Sequence, residues 1–141
     1  MGSYEFIDHT ADVLWQATGN DLAEVFTQCA LALQETQISV EKVEEKQEVV
    51  ITGENKNIEY LLFDFLDDLL LYKDRDQLVF HSFQITVTEK EGKFVLNCIA
   101  KGEVLDVKKH DPRVDVKAIT MHEFSVKKVS DGWKAQVLVD I

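Results

Sequence analysis

The stretch from residue 57 to residue 73 carries the strongest hydrophobic pattern in the chain. Its apolar residues recur at the roughly 3.6-residue period of an α-helix, and Asn57 is suited to cap its start. Phe63 and Leu71 fall outside the main apolar stripe and predict burial on more than one side. The stripe consists of Ile58, Leu61, Leu62, Phe65, Leu66, Leu69 and Leu70. We expect this helix to form the centre of the fold.

A second helix is predicted to begin after Asp21. Asp21 can cap this helix, and Glu24, three residues later, completes a capping box. The helix is expected to end near Thr36. Two short extended segments, 4–9 and 11–18, precede it. The chain is therefore expected to begin with two strands followed by a helix.

The other apolar positions follow the two-residue period of β-strands. From Val79 to Thr88, alternate residues predict a strand with one buried face. The face expected to point to the core carries Val79, His81, Phe83, Ile85 and Val87. Further strands are predicted at 48–52, 94–100, 103–108, 114–120, 122–129 and 133–140. Together these elements indicate a single α+β domain over residues 1–141, with two main helices packed on a mostly antiparallel β-sheet.

Length and composition fit an ordinary globular domain. The chain has 141 residues, of which 45% are hydrophobic and 29% are charged, so we expect order from end to end. The N-terminus carries no basic region followed by an apolar stretch. The longest apolar stretch, 58–72, is interrupted by acidic residues and is too short to span a membrane. We therefore expect a soluble cytoplasmic protein.

The charge of the chain disfavours direct binding to nucleic acid. Lys and Arg total 15 against 26 Asp and Glu, which gives a net charge of -11. The electrostatic field around such a protein repels phosphate backbones. Acidity of this kind most often serves solubility, but it also suits docking on a basic patch of another protein.

Cysteine and histidine offer few candidates for chemistry. Cys29 and Cys98 each fall on an apolar face and are predicted to be buried structural thiols. The four histidines lack the spacing of a zinc site. We expect His81 to be a hydrogen-bonded core residue and His110 to be a solvent-exposed loop residue. The other two histidines remain open candidates.

The sequence contains no motif for nucleotide binding or for an activated nucleophile. It lacks a phosphate-binding glycine loop, a Gly-x-Gly-x-x-Gly pattern and a Gly-x-Ser-x-Gly elbow. Thiols that are inferred to be buried are also poor nucleophiles. The sequence therefore indicates that the protein is not a self-contained enzyme.

Polar residues cluster near both ends of the chain. Segment 8–12, Asp-His-Thr-Ala-Asp, crowds two carboxylates and an imidazole between apolar residues. These side chains either serve a functional site or form local hydrogen bonds in a turn. At the other end, Asp140 precedes Ile141 and its α-carboxylate. This pair of anionic groups either binds a hard cation such as Ca²⁺ or Mg²⁺ or belongs to a solvated terminus.

Lys117 carries the charge in an otherwise apolar segment, 116–120. Its ammonium group must either reach water from an exposed strand face or meet a carboxylate. The residue pattern leaves both alternatives open.

Four segments of the chain together resemble the signatures of the archease family. They are 8–12 (Asp-His-Thr-Ala-Asp), the helix start at 57–59 (Asn-Ile-Glu), 117–122 (Lys-Ala-Ile-Thr-Met-His) and 139–141 (Val-Asp-Ile). The order and spacing of the segments also match, so the resemblance covers nearly the whole chain. It implies an archease-like α+β fold.

The resemblance implies an activator of an RtcB-type RNA ligase, which joins RNA ends in tRNA splicing. Archeases are understood to promote GTP-dependent guanylylation of the ligase and so its multiple turnover, while the ligase carries out the chemistry. By the matching motifs, Asp12, Asp140 and Ile141 are expected to bind a divalent metal. Calcium is the first expectation, with magnesium or manganese as alternatives. Lys117 is then a functional neighbour of the metal.

The same motifs imply supporting roles for Asp8, His9 and His122, because metal ligands generally need oriented partners. The chain departs from the family pattern at Met121, where the family has tyrosine, so any role of a tyrosine hydroxyl is lost there. Two functions of other classes stay open. One is a metal-dependent phosphoesterase that uses the same aspartates, and the other is a metal-free acidic adaptor or chaperone-like module.

Overall fold

Two helices form a layer between two antiparallel sheets. The computed structural model describes residues 2–8 and 12–141. Helix α1 (Leu22–Gln37) and helix α2 (Ile58–Asp76) each contact strands of both sheets. Within this described part, no strand of one sheet contacts a strand of the other. Both sheets therefore direct apolar side chains at the helices, and the main hydrophobic core connects all three layers.

Sheet A and sheet B differ in size. Within the described residues, sheet A consists of β1 (Ser3–Ile7), β2 (Val13–Gly19), β6 (Ala118–Val129) and β7 (Gly132–Asp140). Its strand order is β1-β2-β7-β6. Sheet B consists of β3 (Gln47–Asn55), β4 (Leu78–Lys90) and β5 (Lys93–Val104), in the order β3-β5-β4. The described strand pairs are all antiparallel, which confirms the predicted α+β class.

Both predicted helix caps are present. The Asp21 carboxylate accepts a hydrogen bond from the Glu24 N–H at 2.9 Å, and the Glu24 carboxylate accepts one from the Asn20 N–H at 3.2 Å. The Asn57 side chain accepts a hydrogen bond from the Glu59 N–H at 2.8 Å. Such caps satisfy backbone donors that have no partner inside the helix. Neither described helix is long and apolar enough to cross a membrane.

Helix α2 has the central position that its pattern predicts. Its buried residues are Leu61, Leu62, Phe65, Leu66, Leu69 and Leu70. Phe63 is half-buried and meets the Phe124 ring edge-on, with 5.9 Å between the ring centroids. Leu71, however, is 51% exposed. The predicted burial of Leu71 is therefore wrong, because this residue lines an open surface groove beside β3.

Aromatic contacts tie the helices to sheet B. Phe65 of α2 packs against Phe26 of α1, with ring centroids 6.1 Å apart. The same ring meets Phe83 of β4 edge-on, with centroids 6.5 Å apart. Pairs of this kind contribute about 0.5–1.5 kcal/mol beyond the burial of their area. The helix layer and sheet B are thus held by specific contacts as well as by burial.

A bulge in β4 overturns part of the predicted strand face. The pairing of β4 with β5 is irregular between Phe80 and Ser82, where His81 is an extra residue. The alternation of side chains therefore shifts by one residue at this point. Phe80 and Phe83 both lie in the main core, although they were predicted on opposite faces. Val79 instead packs in a small separate cluster.

His81 is half-buried and hydrogen-bonded. Its Nδ1 lies 2.9 Å from the carbonyl oxygen of Val40, in a 3₁₀ turn (Val40–Lys42) that follows α1. The predicted hydrogen bond is confirmed. The predicted place in the core-facing stripe is wrong, because the bulge takes His81 out of that register.

Strand β5 is longer than predicted. It continues through Gly102 and ends at Val104, so the predicted separate strand at 103–108 is wrong. Gly102 does not interrupt the strand. Its missing side chain makes room for β4, because a Cβ atom at this position would collide with the backbone of Val79 and Phe80.

Strand β6 also differs from its prediction. Residues 105–117 contain no strand, so the predicted strand at 114–120 is correct only from Ala118 onward. The structure then has one strand where a break between 120 and 122 was expected. The segment from 105 to 117 is instead held by loop hydrogen bonds, which leave no periodic pattern in the sequence.

Both cysteines are buried, as predicted. Cys29 lies on α1 and Cys98 on β5, and both are free thiols. Burial raises the pKa of each thiol to about 12, because an apolar environment disfavours the charged thiolate. Neither thiol is therefore a nucleophile at neutral pH.

Candidate functional site

One end of sheet A brings the two terminal motifs together. Strand β7 lies between β2 and β6. The register of β2 with β7 begins at the pair Val13–Val139. Asp12 precedes the first of these residues and Asp140 follows the second. The antiparallel register therefore places the backbones of Asp12 and Asp140 next to each other at this end.

Lys117 borders Asp140 on the other side. Ala118, the first residue of β6, pairs with Asp140, and the Lys117 N–H donates a hydrogen bond of 2.8 Å to the Asp140 carbonyl oxygen. The Lys117 side chain is exposed. It lies at the end of the sheet, because Lys117 precedes the strand. We refer to Asp12, Lys117, Asp140 and Ile141 as the candidate site.

The acidic groups at this end face water to different degrees. Asp140 and Ile141 are exposed, and Asp12 is half-buried. Asp8, which follows β1, is exposed as well. His9, from the same motif, lies outside the described residues. Two aspartates and the α-carboxylate of Ile141 offer oxygen donors alone, which is the donor set that hard cations prefer.

The candidate site has fewer than three ligating side chains among the described residues. Among residues 2–8 and 12–141, no three His, Cys, Asp or Glu side chains are grouped so as to hold a metal ion. The predicted ligand set contains two carboxylate side chains, from Asp12 and Asp140, and takes its third donor from the main chain. The metal therefore stays a prediction about these residues.

A groove of about 340 Å³ runs beside Asp8 and Asp12. Its apolar walls are Phe6, Ile7, Val13, Leu14 and Val114, and its other polar residues are Glu35, Thr36 and Arg113. At the groove, Arg113 Nη1 donates to Glu35 Oε1 at 2.6 Å and to the Glu35 carbonyl oxygen at 2.9 Å. The groove connects the candidate site with the loop segment that precedes β6.

His122 lies farther along β6 than Ala118, the residue that pairs with Asp140. It is exposed and belongs to an irregular part of β6, where the pairing with β7 shifts between Thr120 and Ser125. Within this part, Glu123 has a positive φ of 54°, and Gln136 Nε2 donates to the Glu123 carbonyl oxygen at 2.9 Å. The structure does not bring His122 to the end of the sheet that carries the candidate site.

His110 is buried, so the prediction of a solvent-exposed histidine is wrong. The side chain is 0% exposed. Its Nδ1 accepts a hydrogen bond from the Asp106 N–H at 2.9 Å, and its Nε2 lies 3.0 Å from the Glu103 carboxylate. The loop folds back over the imidazole, which pairs both ring nitrogens inside the protein, as buried polar groups require.

Glu103 is the acidic partner of this buried histidine. Burial by itself raises the pKa of the carboxyl group, but hydrogen bonds from Lys109, the Glu44 N–H and His110 lower the pKa of Glu103 to about 2. Lys109 Nζ lies 2.8 Å and the Glu44 nitrogen 2.7 Å from the carboxylate. Sequence reasoning missed the pair, because a glutamate and a histidine seven positions apart match no strand, helix or metal-ligand spacing.

Comparisons with known proteins agree with one another. The model of the archease protein family matches residues 4–141. Protein archease of Pyrococcus furiosus is 40% identical over 142 residues, with 100% of both chains covered. Protein archease of Sulfolobus acidocaldarius is 36% identical over 141 residues, again with 100% of both chains covered.

Two solved structures are similar to the chain. The solution structure of protein 1598 from Methanobacterium thermoautotrophicum has a TM-score of 0.87 and 34% identity and covers 98% of both chains. A crystal structure from Thermotoga maritima, described as an archease and possible chaperone, has a TM-score of 0.63 and 18% identity. It covers 96% of this chain and 94% of its own. Its likeness concerns the fold alone, and both structures confirm the predicted fold.

Proposed function

The chain belongs to the archease family, and from that membership we propose that it activates an RtcB-type RNA ligase without being an enzyme itself. In this proposal it promotes GTP-dependent guanylylation of the ligase. Each ligase molecule then completes many rounds of RNA joining in tRNA splicing. The ligase makes and breaks the bonds, while this chain supplies docking contacts and charged groups.

The observation that carries the proposal is the convergence of charged residues at one end of sheet A. The β2–β7 register brings Asp12 beside Asp140, and the Lys117 N–H is bonded to the Asp140 carbonyl oxygen at 2.8 Å. Adjacent strands are about 4.8 Å apart, so carboxylate and ammonium groups share a small surface. The side chains of Lys117 and Asp140 are exposed. A partner protein can therefore reach both.

We further propose that Asp12, Asp140 and the carboxylate of Ile141 hold a divalent cation, calcium in the first place and magnesium or manganese otherwise. When bound, such an ion supplies a concentrated positive charge that polarises nearby oxygen groups. Asp12 and Asp140 provide the side-chain oxygens from neighbouring strands. Asp8 and His9 belong to the same motif as Asp12 and are assigned to orienting its carboxylate.

The charge of the protein supports a protein partner rather than direct RNA binding. A net charge of -11 repels phosphate backbones and attracts basic protein surfaces. We propose that the ligase presents such a basic surface to the candidate site. We place this interaction in the cytoplasm, where tRNA splicing by the ligase would occur.

Multiple-turnover RNA ligation with limiting cognate ligase tests this function. We expect the protein to raise the number of turnovers and the rate of ligase guanylylation by GTP. The protein alone is expected neither to join RNA nor to hydrolyse nucleotides. Equal rates with and without the protein, across GTP and metal conditions, would overturn the proposal.

The same assays separate the two rival functions. Hydrolysis of phosphoesters by the protein alone, lost in Asp12→Ala, would indicate a metal-dependent phosphoesterase. Ligase binding that leaves turnover unchanged and resists chelators would indicate a metal-free acidic adaptor or chaperone-like module. The description of the Thermotoga maritima protein as a possible chaperone names a role of that second kind.

A further inference from the structure

The segment that leads into Lys117 has no regular secondary structure. Residues 105–117, here called the connecting segment, link β5 of sheet B to β6 of sheet A. An irregular segment loses much conformational entropy when it is ordered, so its fixed course needs specific contacts. Most of its side chains are exposed, whereas His110 and Val116 are buried. His110 is the buried polar side chain of the connecting segment.

All four polar groups of His110 are hydrogen-bonded. Its N–H donates to the Asp106 carbonyl oxygen at 2.9 Å, and its own carbonyl oxygen accepts from the Ser39 N–H at 2.9 Å. The ring Nδ1 accepts from the Asp106 N–H. The ring proton is therefore on Nε2, which donates to Glu103 at 3.0 Å. This pattern fixes one tautomer and one ring orientation.

Glu103 anchors this histidine to sheet B. Its side chain is 8% exposed and lies on β5, just before the connecting segment begins. The carboxylate also accepts hydrogen bonds from Lys109 and from the Glu44 N–H. A buried carboxylate with several donors is held in place more firmly than an exposed ion pair. The Glu103–His110 pair thus joins the connecting segment to the interior.

Beyond His110, contacts continue along the segment to the candidate site. The Arg113 N–H donates to the Gln37 carbonyl oxygen at 2.9 Å, at the end of α1. Lys73 of α2 and Asp115 form an ion pair of 2.8 Å. At the end of the segment, the Lys117 N–H donates a hydrogen bond of 2.8 Å to the Asp140 carbonyl oxygen of β7. Each contact fixes a short stretch. Val116 packs in the main core, and His110 is the buried polar side chain among these anchors.

We infer that the buried Glu103–His110 pair positions the connecting segment, and through it Lys117, at the candidate site. The side-chain contacts of the pair are with Glu44, Lys46, Asp106 and Lys109 rather than with the candidate site, so the pair acts through the backbone between His110 and Lys117. The importance of Lys117 for ligase activation rests on the proposed function. The structural link between the Glu103–His110 pair and Lys117 is independent of that function.

Hydrogen exchange measured residue by residue tests the link directly. His110→Gln keeps a donor near the position of Nε2 and loses the acceptor at Nδ1, whereas His110→Asn keeps the acceptor and loses the donor. In both variants we expect the Arg113 and Lys117 amides to exchange roughly tenfold faster or more, because a buried partner is lost. The Ala135 amide, inside β7, should change less than about twofold, since β7 lies in the core.

His81→Gln is the matched control for these variants. His81 is also bonded through Nδ1, but to Val40 rather than to the connecting segment. We expect it to leave Arg113 and Lys117 exchange unchanged. If both His110 variants fail to fold, Glu103→Ala serves instead, because it removes the acceptor of the His110 Nε2–H. Unchanged exchange at Arg113 and Lys117 in any folded variant of the pair would overturn the inference.

Ligase activation provides a second readout. We expect His110→Gln to reduce activation several-fold in the otherwise native protein and to have little further effect in a Lys117→Ala background. Equal losses in both backgrounds would show that His110 acts on overall stability rather than through Lys117, and would also overturn the inference. If the native protein activates no ligase, the proposed function fails, while the exchange experiment still decides the link.

Discussion

The Lys117 N–H and the Asp140 carbonyl oxygen are joined by a hydrogen bond of 2.8 Å. This bond joins the residue before β6 to the last residue of β7. The side chains of both residues are exposed at this end of sheet A. An ammonium group and a carboxylate from separate motifs are thereby held on neighbouring strands. The bond involves only backbone atoms, so either side chain can be removed without breaking it.

For Lys117→Ala we expect a loss of ligase activation that exceeds any loss of stability. The side chain is exposed, so the free energy of unfolding should change by less than about 0.5 kcal/mol. Thermal unfolding and ligase guanylylation are to be measured on the same preparation. Lys127→Ala, an exposed lysine elsewhere on β6, is the control and should keep full activation. Full activation by folded Lys117→Ala would remove this lysine from the mechanism.

For Asp12→Ala and Asp140→Ala we expect weaker binding of divalent cations, because each variant loses a side-chain ligand. Every tenfold loss of affinity corresponds to about 1.4 kcal/mol. Calorimetric titration with Ca²⁺ measures the effect, with Mg²⁺ and Mn²⁺ as comparisons. Asp131→Ala, in the turn at the opposite end of β7, is the control. Unchanged affinity in both candidate-site variants would place the cation elsewhere.

Extension of the chain beyond Ile141 tests the α-carboxylate separately. A few added residues convert this carboxylate into a neutral peptide carbonyl, which keeps an oxygen donor but removes one negative charge. We therefore expect lower Ca²⁺ affinity with unchanged folding. If the extended protein binds Ca²⁺ like the native one, the two aspartates remain as candidates and the terminal charge does not contribute.

For Leu66→Ala we expect a loss of about 2–5 kcal/mol in the free energy of unfolding, the usual range for a fully buried leucine. Leu66 is completely shielded from solvent in the middle of α2. Leu71→Ala, on the same helix but 51% exposed, is the matched control and should cost far less. Urea unfolding of both variants measures the difference. Similar small losses would show that α2 is not in the core.

Glu103 is expected to make stability depend on pH in the acid range. Its pKa is lowered from 4.5 to about 2 on folding, so between these values the unfolded chain binds more protons than the folded protein. The stabilisation is fully present above about pH 4.5 and is lost as the pH falls toward 2. Glu103→Gln should therefore flatten the fall of unfolding free energy with acid. Glu48→Gln, an exposed glutamate on β3, is the control.

Local signals made most of the fold predictable. The caps at Asp21 and Asn57 act within one helical turn, so the sequence around them is sufficient to locate both helix starts. The bulge at His81 was not predictable in the same way. It depends on β4 lying close to Gly102 of β5, a contact between two strands that an alternating pattern in one strand does not record.

The residues of the candidate site were predictable from the sequence, but the buried pair that we infer to position Lys117 was not. Asp12, Lys117 and Asp140 lie in motifs matched by family resemblance, and the strand register then brings them to one end of a sheet. The buried Glu103–His110 pair matches no motif or periodic pattern in the sequence. Loops are expected to carry polar residues at the surface, and a buried histidine in a loop is recognised only when its partners are seen.

The two buried cysteines allow local opening of the structure to be measured by chemical labelling. With pKa values near 12, the thiols resist alkylating reagents until the structure around them opens and water reaches the sulfur. Cys29 lies in the helix layer and Cys98 in sheet B, so their labelling rates follow separate layers of the molecule. Equal labelling rates would mean that the two layers open in one cooperative event. Unequal labelling rates would show which layer opens more readily.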